Sequence, residues 1–237
     1  GAADIPQQEI IGKVKSAAPL DGEVVLLHLQ TPRSNRLRFL AGQSVTLSVT
    51  GSTANFRGDY AIASCPCDDR NLLFHIRRDD GDEFARRLFA GALKAQDPIS
   101  IFGPWGDFIL DQDSRRPLLF IAFETGFAPI KSLIEHAMAI EATESISLDW
   151  LALRADGHYL ANQCRAWAEA LDGFRYVPHR AADPGAGARE VVTAMARSIV
   201  LPQHDVYVAG PEAFVATAGA ALAEAGAEPT RLFTAVV

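Results

Sequence analysis

Cysteine is scarce in this chain: Cys65, Cys67 and Cys164 are all there is in 237 residues. Three thiols are too few for a four-cysteine iron–sulfur site or a closed zinc site within the chain. Their odd number and the lack of a Cys-rich pattern point to a reducing compartment, and we expect a cytoplasmic protein. Cys65 and Cys67 read as two small, half-buried side chains beside a turn. Long apolar runs are also missing; none approaches the ~20 residues of a membrane span, and no signal peptide is visible. Basic runs are absent. With 22 Lys and Arg against 29 Asp and Glu the formal net charge is −7, which argues against a nucleic-acid partner and leaves room for a basic protein partner. There is no Ser/His/Asp or Cys/His arrangement, no metal-ligand spacing and no internal repeat.

What remains is ordinary globular composition, 49% hydrophobic and 22% charged, long enough for one or two domains. The chain starts Gly1-Ala2-Ala3 without Met, and we expect a piece of a longer protein with a domain upstream. The first half reads as β. Residues 23–30, 43–49, 59–64, 71–77 and 98–102 have strand patterns, with one helical pattern over 83–93. Short strands at this spacing suggest an antiparallel barrel. The polar, proline-ended stretch 111–117 reads as a hinge. The second half alternates strand and helix. Its strands fall at 118–123, 145–153, 174–178 and 205–208, and its helices at 128–139, 162–171, 189–199 and 211–225. Residues 182–188 form the one low-complexity patch, read as a loop. The alternation predicts a doubly wound α/β domain on a parallel sheet. The expected domains are 1–111 and 112–237.

The segment 118–132 carries the strongest chemical signal. A buried strand, a turn holding Gly126 and a helix with Pro129 in its first turn leave free backbone N–H groups at a helix start, where the macrodipole favours an anion. On these residues alone the turn is either a phosphate site or a plain structural turn. His28 and His75 sit in apolar strand patterns and read as packed histidines. Trp105, in a Gly-rich turn, is a core, cofactor-side or interface aromatic.

Taken together, 121–132 (IAFETGFAPIKS), 39–43 (FLAGQ), 60–64 (YAIAS), 103–108 (GPWGDF), 151–154 (LALR), 174–178 (FRYVP) and 206–211 (VYVAGP) resemble the ferredoxin–NADP reductase family. The resemblance extends to the ferredoxin-fused reductases of oxygenases and of deoxysugar biosynthesis. It implies a flavin-binding barrel followed by a nicotinamide-binding α/β domain, with FAD and NAD(P)H as cofactors. Hydride would pass from NAD(P)H to flavin, and single electrons to an iron–sulfur protein or an N-terminal ferredoxin domain outside this chain.

Carried over residue by residue, the resemblance places the flavin against Tyr60, Ala61, Ile62, Ala63 and Ser64. The flavin diphosphate falls on His75, Ile76, Arg77, Gly81, Asp82 and Ala85, with Arg57 nearby. The nicotinamide nucleotide falls on Thr125, Gly126, Ala128, Pro129, Arg154, Ala209, Gly210 and Pro211. Several positions depart from the family pattern. Gly58 stands where the family has Arg, with Arg57 one residue early. Ala61 replaces a Ser that would bond the flavin N5. Asp82 puts a carboxylate, and Ala85 a methyl group, where a glycine and a Ser or Thr would bind the diphosphate. Glu124 replaces a turn glycine, Ala209 a cysteine, and Ala235 and Val237 align with an acidic and an aromatic residue. Arg57, Arg77 and Arg78 are available to compensate. Arg154 is either a ribose contact or a surface arginine.

Two readings follow. One is a flavin reductase lobe; the other is the same fold with lapsed cofactor sites, acting as a partner-binding or regulatory module. The 125–129 turn favours the first. Gly58, Ala61, Asp82, Ala85, Glu124 and Ala209 favour the second. Glu124 is expected to turn its carboxylate onto the helix N–H groups and compete with the dinucleotide.

Overall fold

The computed structural model describes residues 4–50 and 56–237; Gly1-Ala2-Ala3 lies outside them. The chain divides into two compact units. One comprises Gly1–Leu110 with Lys131–His136, the other Asp111–Ile130 with Ala137–Val237.

The first unit is built on six antiparallel strands: β1 (Gln8–Pro19), β2 (Val24–Gln30), β3 (Ser44–Val49), β4 (Arg57–Ala61), β5 (Asn71–Arg77) and β6 (Pro98–Trp105). They run in the order β4-β3-β6-β1-β2-β5. β4 and β5, at the two ends of that order, also approach each other, so the sheet curls into a nearly closed barrel. Alternation fixes which side chains fill it. Ile10, Leu27, Leu29, Val45, Leu47, Leu72, Phe74, Ile99 and Ile101 are buried in one cluster, as period-two strands with one face inward require. The helix α1 (Glu83–Phe89) adds Phe84 and Leu88 to that cluster. The longest strand, β1, is hidden in the sequence because an apolar Ile11 falls on its exposed face, Gly12 on its buried face, and its last five residues are all exposed.

Two turns in this unit are set by close backbone approach. Gly42 has φ +94°, and a Cβ there would sit 1.8 Å from the Phe108 carbonyl oxygen. Beside it the buried Gln43 side chain receives the Leu40 N–H at 2.8 Å and donates to the Gly106 carbonyl at 3.1 Å. The FLAGQ and GPWGDF stretches are therefore braces on one another.

The second unit is a five-stranded parallel sheet, β7 (Leu118–Phe123), β8 (Ile146–Ala152), β9 (Phe174–Arg180), β10 (Asp205–Gly210) and β11 (Leu232–Val236), in the order β11-β10-β7-β8-β9. Its helices are α2 (Phe127–Ala139), α3 (Ala161–Ala170), α4 (Pro184–Met195) and α5 (Glu212–Glu224). β7, β8 and β10 are buried along their whole length, which explains their continuous apolar runs. The strand order reverses on either side of β7, so the switch point of the sheet lies between the carboxyl ends of β7 and β10.

The stretch 182–188 departs from the loop expected of it. Asp183 caps α4 by accepting the Ala186 N–H at 2.8 Å, and Pro184 occupies its first turn. Gly187 lies within the helix, and a Cβ there would meet the Ala181 Cβ at 2.6 Å. The stretch 111–117 is tethered rather than loose. Asp111 pairs with Arg231 at 2.6 Å, and Arg116 with the buried Asp205 at 3.0 Å, while Arg231 also lies 3.4 Å from Asp205. No helix among the described residues is long and apolar enough to cross a membrane.

Candidate functional site

The carboxyl edge of the parallel sheet forms the first candidate site. β7 leads directly into a 3-10 turn at Glu124–Gly126 and then into α2. No side chain caps that turn, so its N–H groups are kept for backbone partners or for a ligand. Gly126 is there for contact: a Cβ would lie 2.1 Å from the Ala209 carbonyl oxygen and 3.0 Å from the Gly210 nitrogen. Gly210 is pressed in turn, with Phe123 and Phe214 atoms within 3 Å of where its Cβ would be. Gly126, Ala209, Gly210 and Pro211 therefore meet at the switch point. Ala128 and Pro129 are buried in the first turn of α2, and Thr125 is half-exposed. The chain's last residue reaches the same place, with the Val237 N–H donating to the Gly210 carbonyl at 3.0 Å.

Glu124 behaves differently from expectation. It is buried at 8% exposure and has φ +48°, a left-handed conformation that costs an ordinary residue about 1–2 kcal/mol. Both of its ends are held. Its carbonyl accepts the Trp150 indole N–H at 3.0 Å, and Trp150 stacks on Phe127 at 4.1 Å between centroids. Its carboxylate accepts the Leu153 N–H at 3.0 Å and lies 3.8 Å from the Arg154 guanidinium. The carboxylate thus turns across the sheet edge to the end of β8 and does not cap α2. Arg154 also donates to Asp156 at 3.1 Å.

The second candidate site, in the first unit, gathers around Tyr60. The Tyr60 hydroxyl donates to Asp82 Oδ2 at 2.5 Å, while Asp82 Oδ1 accepts the Ala85 N–H at 3.0 Å and caps α1. Burial, then the bond to Asp82, raises the Tyr60 pKa far above its ordinary value, so the hydroxyl keeps its proton. A Cβ on Gly58 would lie 2.3 Å from the Tyr60 hydroxyl oxygen and 2.8 Å from Asp82 Oδ1. The glycine that replaces the family's arginine is what lets Tyr60 reach Asp82. Arg57 is exposed, and the pleat of β4 puts it on the opposite face from Tyr60. Ala61, Ile62, Ala63 and Ser64 are buried backbone partners of their neighbours: the Ile62 N–H bonds Gln43, the Ala63 N–H bonds Leu73, and Ser64 Oγ accepts the Leu73 N–H at 3.1 Å.

On β5, His75 and Ile76 are buried and Arg77 is exposed. Burial above all pushes the His75 pKa down to about 3, so it is neutral at physiological pH. Arg78 lies 4.5 Å over the Phe89 ring and 3.7 Å from Glu23. The Gly81 N–H bonds Asp79 at 2.9 Å.

Residues 120–219 match the family model described as the oxidoreductase NAD-binding domain. The NAD(P)H-flavin reductase of Vibrio harveyi is 30% identical over 208 residues, covering 84% of this chain and 85% of that protein. The chain belongs to the ferredoxin–NADP reductase family. Reductase component 2 of terephthalate 1,2-dioxygenase from a Comamonas species is 30% identical over 171 residues, 72% of this chain and 49% of that protein. The solved cytochrome P450 reductase GcoB of Amycolatopsis superposes with a TM-score of 0.84 at 27% identity, over 97% of this chain and 70% of that one. This member of the family spans about half the length of the oxygenase-type and deoxysugar-type reductases it matches.

Ferredoxin–NADP reductase relatives imply two cofactors, and the two sites fit them unequally. The switch-point crevice fits a dinucleotide: two backbone turns in van der Waals contact, an uncapped 3-10 turn and no carboxylate on the α2 N–H groups. The α1 region does not fit a flavin diphosphate. A phosphate needs donors, and here both oxygens of Asp82, an acceptor-only group, fill that place. Neither Gly58 nor Asp82 stood out in the sequence as a contact of Tyr60, because the three become neighbours only when β4 meets α1.

Proposed function

We propose that this chain is a flavin-dependent oxidoreductase lobe that passes electrons from NAD(P)H through a flavin to an iron–sulfur centre. That centre belongs to a separate protein or to a ferredoxin domain outside these residues. The observation that carries the reading is the switch-point crevice, where the uncapped 124–126 turn rests on Ala209 and Gly210 in a chain of this family. The names of its relatives support it: an NAD(P)H-flavin reductase and the reductase component of a dioxygenase. In this reading the boundary between the flavin and nicotinamide domains falls near 111/112, and the protein works in the cytoplasm.

When bound, NAD(P)H would supply a hydride and the flavin would pass it on as single electrons. The protein's part is to bind and orient. Backbone N–H groups at Thr125 and Gly126 would hold the dinucleotide pyrophosphate, with the α2 dipole behind them. Arg154, steadied by Glu124 and Asp156, would meet the ribose. Tyr60 supplies the aromatic face for the flavin ring.

The second reading, a binding module with lapsed cofactor sites, draws on the Tyr60–Asp82 contact. One experiment separates the two. Under anaerobic conditions the purified chain is mixed with NADH or NADPH, added flavin and ferricyanide, and absorbance is followed at the nicotinamide band. The enzyme reading expects protein-dependent and flavin-dependent oxidation. No oxidation with any added flavin, together with no dinucleotide binding by calorimetry, overturns it.

A further inference from the structure

We infer that Asp82 is a specificity-determining residue that denies this chain any benefit from a flavin's diphosphate, so that FAD binds no better than riboflavin. The inference rests on the flavin-reductase reading and deepens it. Both Asp82 oxygens are engaged, one by the Ala85 N–H and the other by the Tyr60 hydroxyl. The space above Gly58 is taken by the same pair. A diphosphate arriving there meets the acceptor-only carboxylate of Asp82 and a dense set of like charges, since Asp79, Asp80, Asp82 and Glu83 follow one another with only Gly81 between them.

Most of the nearby cations are engaged or turned away. Arg78 covers Phe89 and faces Glu23, Arg87 lies 4.1 Å over the Phe56 ring, and Arg57 is on the far face of β4, which leaves the exposed Arg77 and Arg86 against four carboxylates. The α1 helix, at seven residues, is too short to offset four carboxylates with its dipole. Recognition is left to the flavin ring and its ribityl chain. The residue therefore discriminates by repulsion as well as by removing contacts.

The test is equilibrium dialysis of riboflavin, FMN and FAD against the full chain, native and with Asp82→Gly or Asp82→Asn, each checked for fold by circular dichroism. Asp82→Asn keeps an oxygen for the Ala85 N–H and removes only the charge, so it reports even where the glycine variant fails to fold. The native protein should bind FAD no more than about threefold more tightly than riboflavin, and its FAD affinity should hold or rise between about 0.05 and 0.3 M salt as like charges are screened. Either variant should gain about tenfold or more for FAD and little for riboflavin, including where the native protein binds no flavin. A native preference for FAD over riboflavin of about tenfold or more, lost with salt, overturns the inference and leaves the reductase reading standing. An equal gain for riboflavin and FAD in the variants overturns it too. If no flavin binds the native protein or either variant, the inference and the reductase reading fall together.

Discussion

Replacing Gly126 by Ala tests the contact on which the proposed nicotinamide site depends. The new methyl carbon would lie 2.1 Å from the Ala209 carbonyl oxygen and 2.6 Å from its carbonyl carbon. Neither obstacle is a side chain that can swing aside; both belong to β10, at the last paired position opposite Ala122. The turn must retreat by about an ångström or the strand end must give way, and overpacking of this kind costs about 1–3 kcal/mol. We expect the upper end, about 3 kcal/mol, because backbone meets backbone. For a chain of this length that is a fall in melting temperature of about 6–12 °C. Gly219→Ala is the control: it makes the same chemical change in α5, with nothing within 4 Å of the new carbon. There the helix gains about 0.5–1 kcal/mol from the stiffer residue. Urea melts of both variants read the difference, and calorimetry with NADH reads an expected loss of about tenfold or more for Gly126→Ala as the turn is displaced. If Gly126→Ala costs under about 0.5 kcal/mol, or moves in step with Gly219→Ala, the two turns are not in contact and the crevice is misdescribed.

Three further outcomes follow from the geometry. Glu124→Ala strips the Leu153 N–H of its buried acceptor and should cost about 1–3 kcal/mol in chemical denaturation. Glu124→Gln keeps an accepting oxygen and loses only the 3.8 Å approach of Arg154, for under about 1 kcal/mol; equal losses in the two variants would refute the hydrogen bond. Asp205→Ala leaves Arg116 and Arg231 without their buried carboxylate. Because those side chains are 30% and 26% exposed, the loss should be about 1–3 kcal/mol rather than the 3–5 of a fully buried pair, with faster proteolysis within 111–117. His75, held near pKa 3 against an ordinary 6.5, takes up a proton on unfolding but not when folded between those values. Stability therefore falls as pH drops through that window, by about 2 kcal/mol from pH 7 to pH 5. His75→Leu should remove that share, and an unchanged pH 7-to-5 difference would refute it.

Much of the architecture was legible because it follows from burial. The parallel strands β7, β8 and β10 are buried on both faces and read as apolar runs, while β3 and β5 alternate against a single core. Strand β1 and the start of α4 were harder. An exposed Ile11 and an inward Gly12 blur one pattern, and two glycines disguise the Asp183-Pro184 helix start. At the candidate sites, residue identities were legible but side-chain directions were not. Asp82 was visible as a misplaced charge, yet its two bonds exist only because Gly58 opens a path for Tyr60 across two elements far apart in sequence. Glu124 was expected to fold back on its own helix. The Leu153 N–H that captures it instead comes from another strand, and local spacing carries no information about that.

The central strand of the parallel sheet has a consequence during synthesis. All six residues of β7 are buried, and its neighbour β10 begins 82 residues after β7 ends. At the roughly 5–20 residues per second of translation, that flank waits about 4–16 s for its partner. During this interval LLFIAF is an unpaired apolar edge on the nascent chain, a target for holdase chaperones and for self-association. Slowing elongation between α2 and β10 should lower the soluble yield of this chain while leaving the thermal stability of the folded fraction unchanged.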